Sequence, residues 1–312
     1  MSTIRTEFSF LSDNGINTVR GIKVVPADGD CKAILHISHG MVEHYDRYTD
    51  FIEYMAQNGF AVYIHDHVGH KHSVDNDDQL GYFAKEEGYK CILNDLHHTA
   101  EMAKSEYPGK KYFILGHSMG SFYCRVFASQ YTDITDGVLI SGTGGPNKAA
   151  TMGSKLVRVM IKLKGEKYRS ELMNNIAFGT YLDKIENPRT KKDWITRDEA
   201  IVDKYVDDKY TQFVFTLSGF RDLMDIIGLS NDETTFKNTP DKMPVYIFSG
   251  SMDPVGDYGI GVMNVVDCYK TAGCTDVEVK IYDGGRHEML NELNRREVYE
   301  DVKNWLTNKA EA

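Results

Sequence analysis

The sequence lacks most features that are typical of disulfide-bonded, membrane-spanning or nucleic-acid-binding proteins. Its five cysteines are scattered and show no C-x-x-C spacing, which favours reduced thiols over a disulfide framework or a zinc site. No apolar run approaches the roughly 18 residues of a transmembrane helix, and Met1–Phe10 lacks the apolar core of a signal peptide. The net charge of -10 argues against a nucleic-acid partner. We therefore expect a cytoplasmic protein.

Apolar runs and amphipathic stretches alternate along most of the 312 residues. The strand-like segments are Thr6–Leu11, Asn17–Val25, Ala33–Ser38, Phe60–His65, Lys111–Leu115, Gly137–Ser141, Val245–Phe248 and Val277–Tyr282. The helix-like segments are Tyr48–Asn58, Gly88–Tyr107, Ser121–Tyr131 and a C-terminal stretch from about Glu288. Strands separated by helices of this length predict an α/β fold, with a mostly parallel central sheet and helices on both faces.

The alternation stops after Gly144 and resumes at Pro244. From Asn147 to about Phe236 the chain is charged, tyrosine-rich and of helical composition, with no clear strand. We expect residues 146–236 to form a helical cap over the carboxyl ends of the strands, inserted into a core of residues 1–145 and 237–312. The alternative is a set of extra helices packed on the side of the sheet.

The pattern Gly116-His117-Ser118-Met119-Gly120 directly follows a predicted strand and directly precedes a predicted helix. In that context G-x-S-x-G is a nucleophile elbow, a sharp turn that pushes a serine hydroxyl clear of the backbone. Gly116 and Gly120 flank the turn because a side chain there would clash, and the first N–H groups of the helix favour developing negative charge. Ser118 is the candidate nucleophile. The alternative is a serine in an ordinary glycine-rich turn.

A serine nucleophile needs a histidine base that is itself oriented by a carboxylate. In this kind of sheet the chain order is Ser, then Asp or Glu, then His, and His287 is the one histidine after Ser118. Asp253 follows a predicted strand and precedes a proline, so it is the candidate acid. Asp257 is the runner-up, and Asp283 lies too near the base in sequence. Each aspartate could instead cap its own turn.

An oxyanion hole requires two backbone N–H donors near the serine. The first should be the N–H of Met119, directly after the nucleophile. The second should come from the loop after an earlier strand, here His39–His44. Gly40 lets that backbone turn inward, so the N–H of Met41 is the best candidate.

The stretch His65–His72 contains four histidines and resembles a metal-binding tract at first sight. A hydrolytic zinc site needs three convergent ligands, whereas this segment is the loop after a predicted strand, where Asp66 and Gly69 can shape a turn. We interpret it as a loop and expect no metal. Asp66 and His70 are expected to support the rim of the site, and stoichiometric zinc in the purified protein would overturn this interpretation.

The segment Ser154–Arg169 is basic and amphipathic, with Glu166 as its one acidic residue. Its apolar positions at helical spacing are Leu156, Val157, Met160, Ile161 and Leu163. We expect that face to roof the pocket; the alternative is a helix that rests on anionic lipid. An aromatic cap suits an acyl chain better than a sugar or nucleotide. The aromatic residues concerned are Tyr181, Tyr205, Tyr210, Phe213 and Phe215.

Taken together, these motifs make the sequence resemble the monoacylglycerol lipase and lysophospholipase-like α/β-hydrolases over nearly its whole length. They are His39–His44, Arg47-Tyr48, Asp66–His70, the elbow around Ser118, Asp253 and His287. The resemblance is strongest in the core and weakest in the cap. It implies Ser118, Asp253 and His287 as a catalytic triad, Met41 and Met119 as the oxyanion donors, and ester hydrolysis without a cofactor.

We therefore expect a serine hydrolase acting on small-molecule esters of medium or long acyl chains, such as monoacylglycerols or lysophospholipids. A serine aminopeptidase or a thioesterase could use the same triad. An aminopeptidase would need an acidic group for the substrate amine, and the cap offers Glu171, Asp183 and Glu199. A catalytically silent binding protein is the remaining alternative, but it would need none of the three triad residues. Activity should rise with pH through the titration of His287, near 6.5 if unperturbed.

Overall fold

Eight strands form a single sheet in a computed structural model that describes residues 2–146 and 148–312. Met1 and Asn147 lie outside the described residues, and so do the parts of the sequence predictions that involve these two positions. The strands are β1 (Thr3–Leu11), β2 (Thr18–Pro26), β3 (Ala33–Ser38), β4 (Phe60–His65), β5 (Tyr112–His117), β6 (Gly137–Ser141), β7 (Val245–Gly250) and β8 (Val277–Tyr282).

The sheet has the strand order β1-β2-β4-β3-β5-β6-β7-β8. The pairs β1–β2 and β2–β4 are antiparallel, and the six strands β3 to β8 run parallel. Every residue of β3 to β7 is buried, which explains why these strands appear in the sequence as short, nearly continuous apolar runs. The predicted α/β class with a mostly parallel sheet is confirmed. Ser38, His117 and Ser141 end neighbouring strands at the same edge.

Helices cover both faces of this sheet. They are α1 (Thr49–Gln57), α2 (Gly88–Glu106), α3 (Met119–Gln130), α4 (Lys148–Lys164), α5 (Glu171–Phe178), α6 (Glu199–Asp207), α7 (Leu217–Ser230), α8 (Glu233–Asn238), α9 (Ile260–Thr271) and α10 (Arg295–Glu311). One apolar core lies between the sheet and α2, α3, α7 and α9, and a second lies under α1 and α10. Among the described residues, none of these helices is long and apolar enough to cross a membrane.

Three details of the sequence prediction need correction. The helix α9 was not predicted. The C-terminal helix begins at Arg295 rather than near Glu288, because Met289–Asn291 forms a separate 3-10 turn first. The expected end of the cap at Phe236 falls inside α8, which packs on α3 and α9 of the core. Helices α4 to α8 lie between β6 and β7 in the chain, where the alternation was predicted to be interrupted.

The prediction that the apolar face of residues 154–169 roofs the pocket is wrong, since none of its five apolar residues lines the cavities at Ser118. Val157 is fully buried where α4 packs on α7, but two other members of the predicted apolar face, Leu156 and Leu163, are exposed, Leu163 by 79%. The residues that cover the pocket come instead from the end of α5 and from the segment after it, including Phe178 and Trp194. An amphipathic pattern shows that one helix face is apolar but not which surface it covers.

Candidate active site

Ser118 occupies a strained turn between β5 and α3. Its φ of 52° and ψ of -118° lie outside the regions that non-glycine residues ordinarily adopt, a kind of strain that concentrates at functional sites. Its own N–H donates to the Ser141 carbonyl at 2.9 Å, which ties the turn to the end of β6. As the residue preceding α3, it stands where the helix leaves backbone N–H groups without intrahelical partners.

Close backbone contacts account for the two glycines that flank this turn. A Cβ on Gly116 would lie 2.3 Å from the Gly120 carbonyl oxygen, and a Cβ on Gly120 would lie 2.0 Å from the Ser38 carbonyl oxygen. Backbone atoms cannot move away from such a contact without separating α3 from β3 and β5. The residue type at both positions is therefore set by how closely the elbow approaches the sheet.

His287 and Asp253 meet at the carboxyl ends of β7 and β8. The Nδ1 of His287 donates to Asp253 Oδ1 at 2.9 Å, so Nε2 is the nitrogen left to accept a proton. The Asp253 carboxylate also accepts from the Ser249 hydroxyl at 2.8 Å and from the Val255 N–H at 2.9 Å, which hold it in one orientation. The runner-up Asp257 is exposed, as is Asp283.

Ser118 and His287 line one small cavity, together with Gly40 and Met41. Within the described residues no hydrogen bond joins the serine hydroxyl to the imidazole, and such contacts are often long before substrate binds. The structure thus brings all three predicted triad positions to the same edge of the sheet, with the base and acid in direct contact.

Electrostatics around His287 favour its protonated form. Burial acts to lower the pKa of His287, but the adjacent Asp253 carboxylate, with Glu288 and Glu43 behind it, outweighs burial and raises the pKa above the usual 6.5. The reciprocal effect holds for Asp253: burial acts to raise its pKa, and His287 with the hydrogen bonds to the carboxylate lowers it below the usual value. The acid is therefore ionised at neutral pH.

The loop after β3 lies directly against the elbow. A Cβ on Gly40 would stand 3.1 Å from Ser118 Cβ, so a glycine is needed for this approach. Met41, from the loop after β3, and Met119, which directly follows Ser118, line a cavity together with the serine. Val42 adopts a φ of 56°, which is unusual for a β-branched residue.

Two side chains hold this strained valine. Its N–H donates to His70 Nε2 at 3.4 Å, and its carbonyl accepts from the Tyr205 hydroxyl at 2.9 Å. His70 thus contacts the loop that carries Met41. Asp66, the other predicted supporting residue, accepts from the Tyr45 N–H at 2.7 Å and from the His72 N–H at 2.9 Å, so it shapes the backbone beside the loop.

The remaining histidines of the region are also engaged with protein atoms. His67 contacts the Ser38 hydroxyl at 2.9 Å, and its N–H donates to His39 Nε2 at 2.9 Å. Burial lowers the pKa of His39 to about 3 and that of His67 well below its usual value, so both rings are neutral. Among the residues that the structure describes, no group of three or more His, Cys, Asp or Glu side chains is arranged to hold a metal ion.

A buried ion cluster that the sequence analysis missed connects the two functional loops. Arg47 donates to Glu43 at 2.8 Å and to both carboxylate oxygens of Glu288 at 2.8 and 2.6 Å. Glu43 belongs to the Gly40 loop, and Glu288 follows His287. The i, i+4 spacing of Glu43 and Arg47 was a visible signal, but nothing in the sequence pairs Arg47 with a residue 241 positions away.

Two cavities meet at Ser118. The apolar cavity, of about 140 Å³, is lined mainly by Phe122, Phe178, Tyr181, Leu223 and Met224. The polar cavity, of about 40 Å³, contains Glu43, Lys192, His287 and Glu288. The predicted aromatic residues of the cap divide between them: Tyr181 lines the apolar cavity, and Tyr205 and Phe213 line the polar one. Phe215 is instead buried in the core, and Tyr210 lies beside Lys71.

Comparison with known proteins shows similarity to lipases and esterases over nearly the whole chain. The family model described as serine aminopeptidase, S33 matches residues 29–294. A monoacylglycerol lipase from Mycolicibacterium smegmatis is 24% identical over 306 residues, covering 98% of both chains. Human monoglyceride lipase is 25% identical over 295 residues, covering 90% of this chain and 84% of the human protein. A solved structure of a thermostable carboxyl esterase from Bacillus coagulans, in complex with glycerol, superimposes with a TM-score of 0.92 at 28% identity, covering 98% of this chain and 99% of that one.

Proposed function

The chain belongs to the family described as serine aminopeptidase, S33. We propose that it hydrolyses esters of medium or long acyl chains through an acyl-enzyme on Ser118. It is a serine ester hydrolase of the α/β-hydrolase fold, like the lipases and esterases that it resembles over nearly its full length. Monoacylglycerols and lysophospholipids are the proposed substrates. The observation that carries the proposal is the His287–Asp253 pair beside a serine in a strained elbow.

In the proposed reaction Ser118 Oγ attacks the ester carbonyl while His287 Nε2 takes its proton. Asp253 keeps the imidazole in the tautomer that can accept this proton and stabilises the imidazolium. The N–H groups of Met41 and Met119 stabilise the tetrahedral oxyanion, each worth about 3 kcal/mol. His287 then protonates the leaving alcohol. In the second half of the reaction water gives a proton to His287 and attacks the acyl-enzyme, the fatty acid leaves, and His287 returns the proton to Ser118 Oγ. No cofactor or metal takes part.

The two cavities suggest how the substrate lies. The apolar cavity suits the acyl chain, since its walls are aromatic and aliphatic. The polar cavity, which holds Glu43, Lys192 and Glu288, suits the alcohol. The hydroxyl groups of glycerol can form hydrogen bonds with these charged side chains, so a monoacylglycerol is the proposed substrate ahead of a lysophospholipid.

We also propose that residues 146–236 form a cap over a core of residues 1–145 and 237–312. This cap would complete the walls of the two cavities. The support is contact between the two parts: the N–H of Glu288 donates to the Ile195 carbonyl at 2.7 Å, and the Trp194 ring lies 5.1 Å from the His287 ring. Movement of this segment would therefore change the surroundings of His287, the proposed base. A cytoplasmic location is also part of the proposal, supported by five free cysteines within the described residues.

The geometry favours an esterase over an aminopeptidase. Glu171, Asp183 and Glu199 are exposed, and none of them lines either cavity among the described residues. The carboxylates in the polar cavity, Glu43 and Glu288, are both paired with Arg47. A carboxylate already engaged in a buried ion pair is poorly placed to bind a substrate ammonium group.

Comparison of substrate classes tests this proposal. We expect acyl p-nitrophenyl esters and monoacylglycerols to be hydrolysed with kcat/KM at least about 100-fold above amino-acid arylamides, because the site lacks a free carboxylate for the amine. Acyl thioesters of matched chain length form the third arm. Preferred cleavage of arylamides would identify an aminopeptidase, and preferred cleavage of thioesters a thioesterase.

The acid limb of the pH profile is expected above 6.5, because the pKa of His287 is raised and only the neutral imidazole can accept the serine proton. Below that pKa the imidazolium predominates, and kcat/KM should fall about tenfold per pH unit. The measurement is kcat/KM for one soluble ester from about pH 5 to 9. A profile that stays flat from about pH 5 to 8 would contradict His287 as the base.

Contact of the cap with an anionic lipid surface is the final part of the proposal. Helix α4 exposes Leu156, Val159 and Leu163 on one side, and the first turns of α5 expose Leu172 nearby in sequence. Apolar side chains among lysines and arginines are the composition of a helix that lies on a membrane surface. We expect this contact to be weak and sensitive to salt.

Co-sedimentation with vesicles of anionic lipid tests the proposed membrane contact. Combined charge reversal at Lys155, Arg158 and Lys162 should release most of the bound protein, because each cation near an anionic surface contributes about 1 kcal/mol. The matched control reverses three exposed lysines near the start of β7 and the end of α9. They are Lys237, Lys242 and Lys270. Equal binding by both variants would remove the membrane contact from the proposal.

A further inference from the structure

One cavity of the described chain does not contain Ser118 and is larger than both cavities at the serine. It is an outer groove of about 990 Å³ between α4 and α7, beside the start of α2. Arg158 and Ile161 of α4 form one wall, and Met224 and Ile227 of α7 form part of the other. The groove lining mixes apolar side chains with charged ones.

Met224 and Ile227 line both this outer groove and the apolar cavity at Ser118. They are three residues apart on α7, so their side chains lie on the same helix face. Met224 is only 7% exposed, so its side chain is packed between the two spaces. The same two residues therefore form the partition that separates the catalytic cavity from the groove.

The helix that faces this partition leaves room for Met224 to move. Gly153 of α4 lies opposite it, and a Cβ added there would stand 3.5 Å from both Sδ and Cε of Met224. A methyl group at this position would therefore touch the tip of the methionine, whereas glycine leaves that space open. Methionine is unbranched and has three rotatable side-chain bonds, so it can adopt several shapes in such a space.

We propose that Met224 sets the length of acyl chain that the site accepts, and that its rotation admits the end of a longer chain into the outer groove. The inference rests on the proposed ester hydrolysis at Ser118 and specifies its substrate. A short chain fits within the apolar cavity with Met224 in place. A longer chain has to displace the methionine side chain before its end can pass between α4 and α7.

A chain-length series of monoacylglycerols and p-nitrophenyl esters, from butanoyl to octadecanoyl, tests this inference. We expect Met224→Ala to raise the ratio of kcat/KM for the longest to the shortest ester by about tenfold or more, since the partition is removed. Gly153→Ala should lower the same ratio, because its methyl group would restrict rotation of Met224. Opposite shifts from two residues on different helices are hard to explain by loss of stability.

Two further variants complete the design. Leu223→Ala enlarges the apolar cavity from the same helix without reaching the outer groove, so it should change the ratio much less than Met224→Ala. Met224→Leu keeps the volume but stiffens the side chain, and it should keep the ratio low. Labelling of each variant by a short-chain fluorophosphonate verifies that the site is folded.

Equal shifts from Met224→Ala and Leu223→Ala would overturn the inference, as would an unchanged ratio in a Met224→Ala protein that is still labelled. Both results leave ester hydrolysis at Ser118 intact. Failure of the unchanged protein to hydrolyse any ester in the series would instead overturn the proposed function, and the inference with it.

Discussion

Replacement of Ser118 with alanine is expected to lower kcat for ester hydrolysis by about 10⁵- to 10⁶-fold, the largest effect that we predict. The alanine has no oxygen to form the acyl-enzyme, so only binding and the oxyanion donors can still act on the substrate. Neither His287 nor Asp253 can compensate, because a base is of no use without the group that it activates. The measurement is the rate of release of p-nitrophenol from a medium-chain ester at high enzyme concentration.

The matched control for this variant is Ser129→Ala. Ser129 lies on the same helix, α3, but its hydroxyl donates to the Val126 carbonyl at 2.8 Å, away from the elbow. We expect it to keep close to full activity, with a small loss of stability from one hydrogen bond. Hydrolysis by Ser118→Ala at a rate near that of the control would show that another residue is the nucleophile.

Asp253→Asn is expected to lower kcat by about 10⁴-fold, the second largest effect. The asparagine amide can donate to His287 Nδ1, which then has to accept, so the ring proton moves to Nε2 and the imidazole can no longer take the serine proton. The change also removes the carboxylate that raises the pKa of His287. We therefore expect the acid limb of the residual activity to shift to lower pH.

Asp257→Asn distinguishes this effect from any general loss of charge near the site. Asp257 lies four residues further along the chain and is exposed, while the Asp253 carboxylate is buried against His287. The Asp257 variant should retain nearly full activity and an unshifted pH profile. A larger loss from Asp257→Asn than from Asp253→Asn would mean that the acid has been assigned to the wrong residue.

The sequence predicted the sheet and the elbow well because both depend on local patterns. A buried parallel strand is a short apolar run, and an elbow needs glycines at fixed offsets from the serine. His287 was predicted as the base by elimination, since no other histidine follows Ser118. The position of Asp253 at the end of β7 followed from the rule that parallel sheets place their chemistry at the carboxyl ends of the strands.

Features that depend on contacts between distant parts of the chain could not be predicted in the same way. The pairing of Arg47 with Glu288 joins residues from opposite ends of the chain, and neither residue type signals a buried ion pair. The strained φ of Val42 is stable only because His70 and Tyr205 hold its N–H and carbonyl from two other segments. Such strain is fixed by surrounding structure rather than by local preference.

Helices α4 and α9 show the same limit on a larger scale. The pattern of α4 identified an apolar face, but the packing of α4 on α7 decides that Val157 is buried while Leu163 is exposed. Helix α9 was missed for a related reason: Ile260–Thr271 carries several valines and a glycine, which favour helix poorly by themselves. Its buried face packs against α8, β7 and β8, and this tertiary contact stabilises the helix.

The central claim is that Ser118 is an activated nucleophile, and reaction with a fluorophosphonate probe tests it most directly. The purified protein and its Ser118→Ala variant are treated with the probe, and adducts are read by intact mass. The account predicts one adduct on the unchanged protein and none on the variant. An equal adduct on both proteins, or no adduct on the unchanged protein, would contradict it.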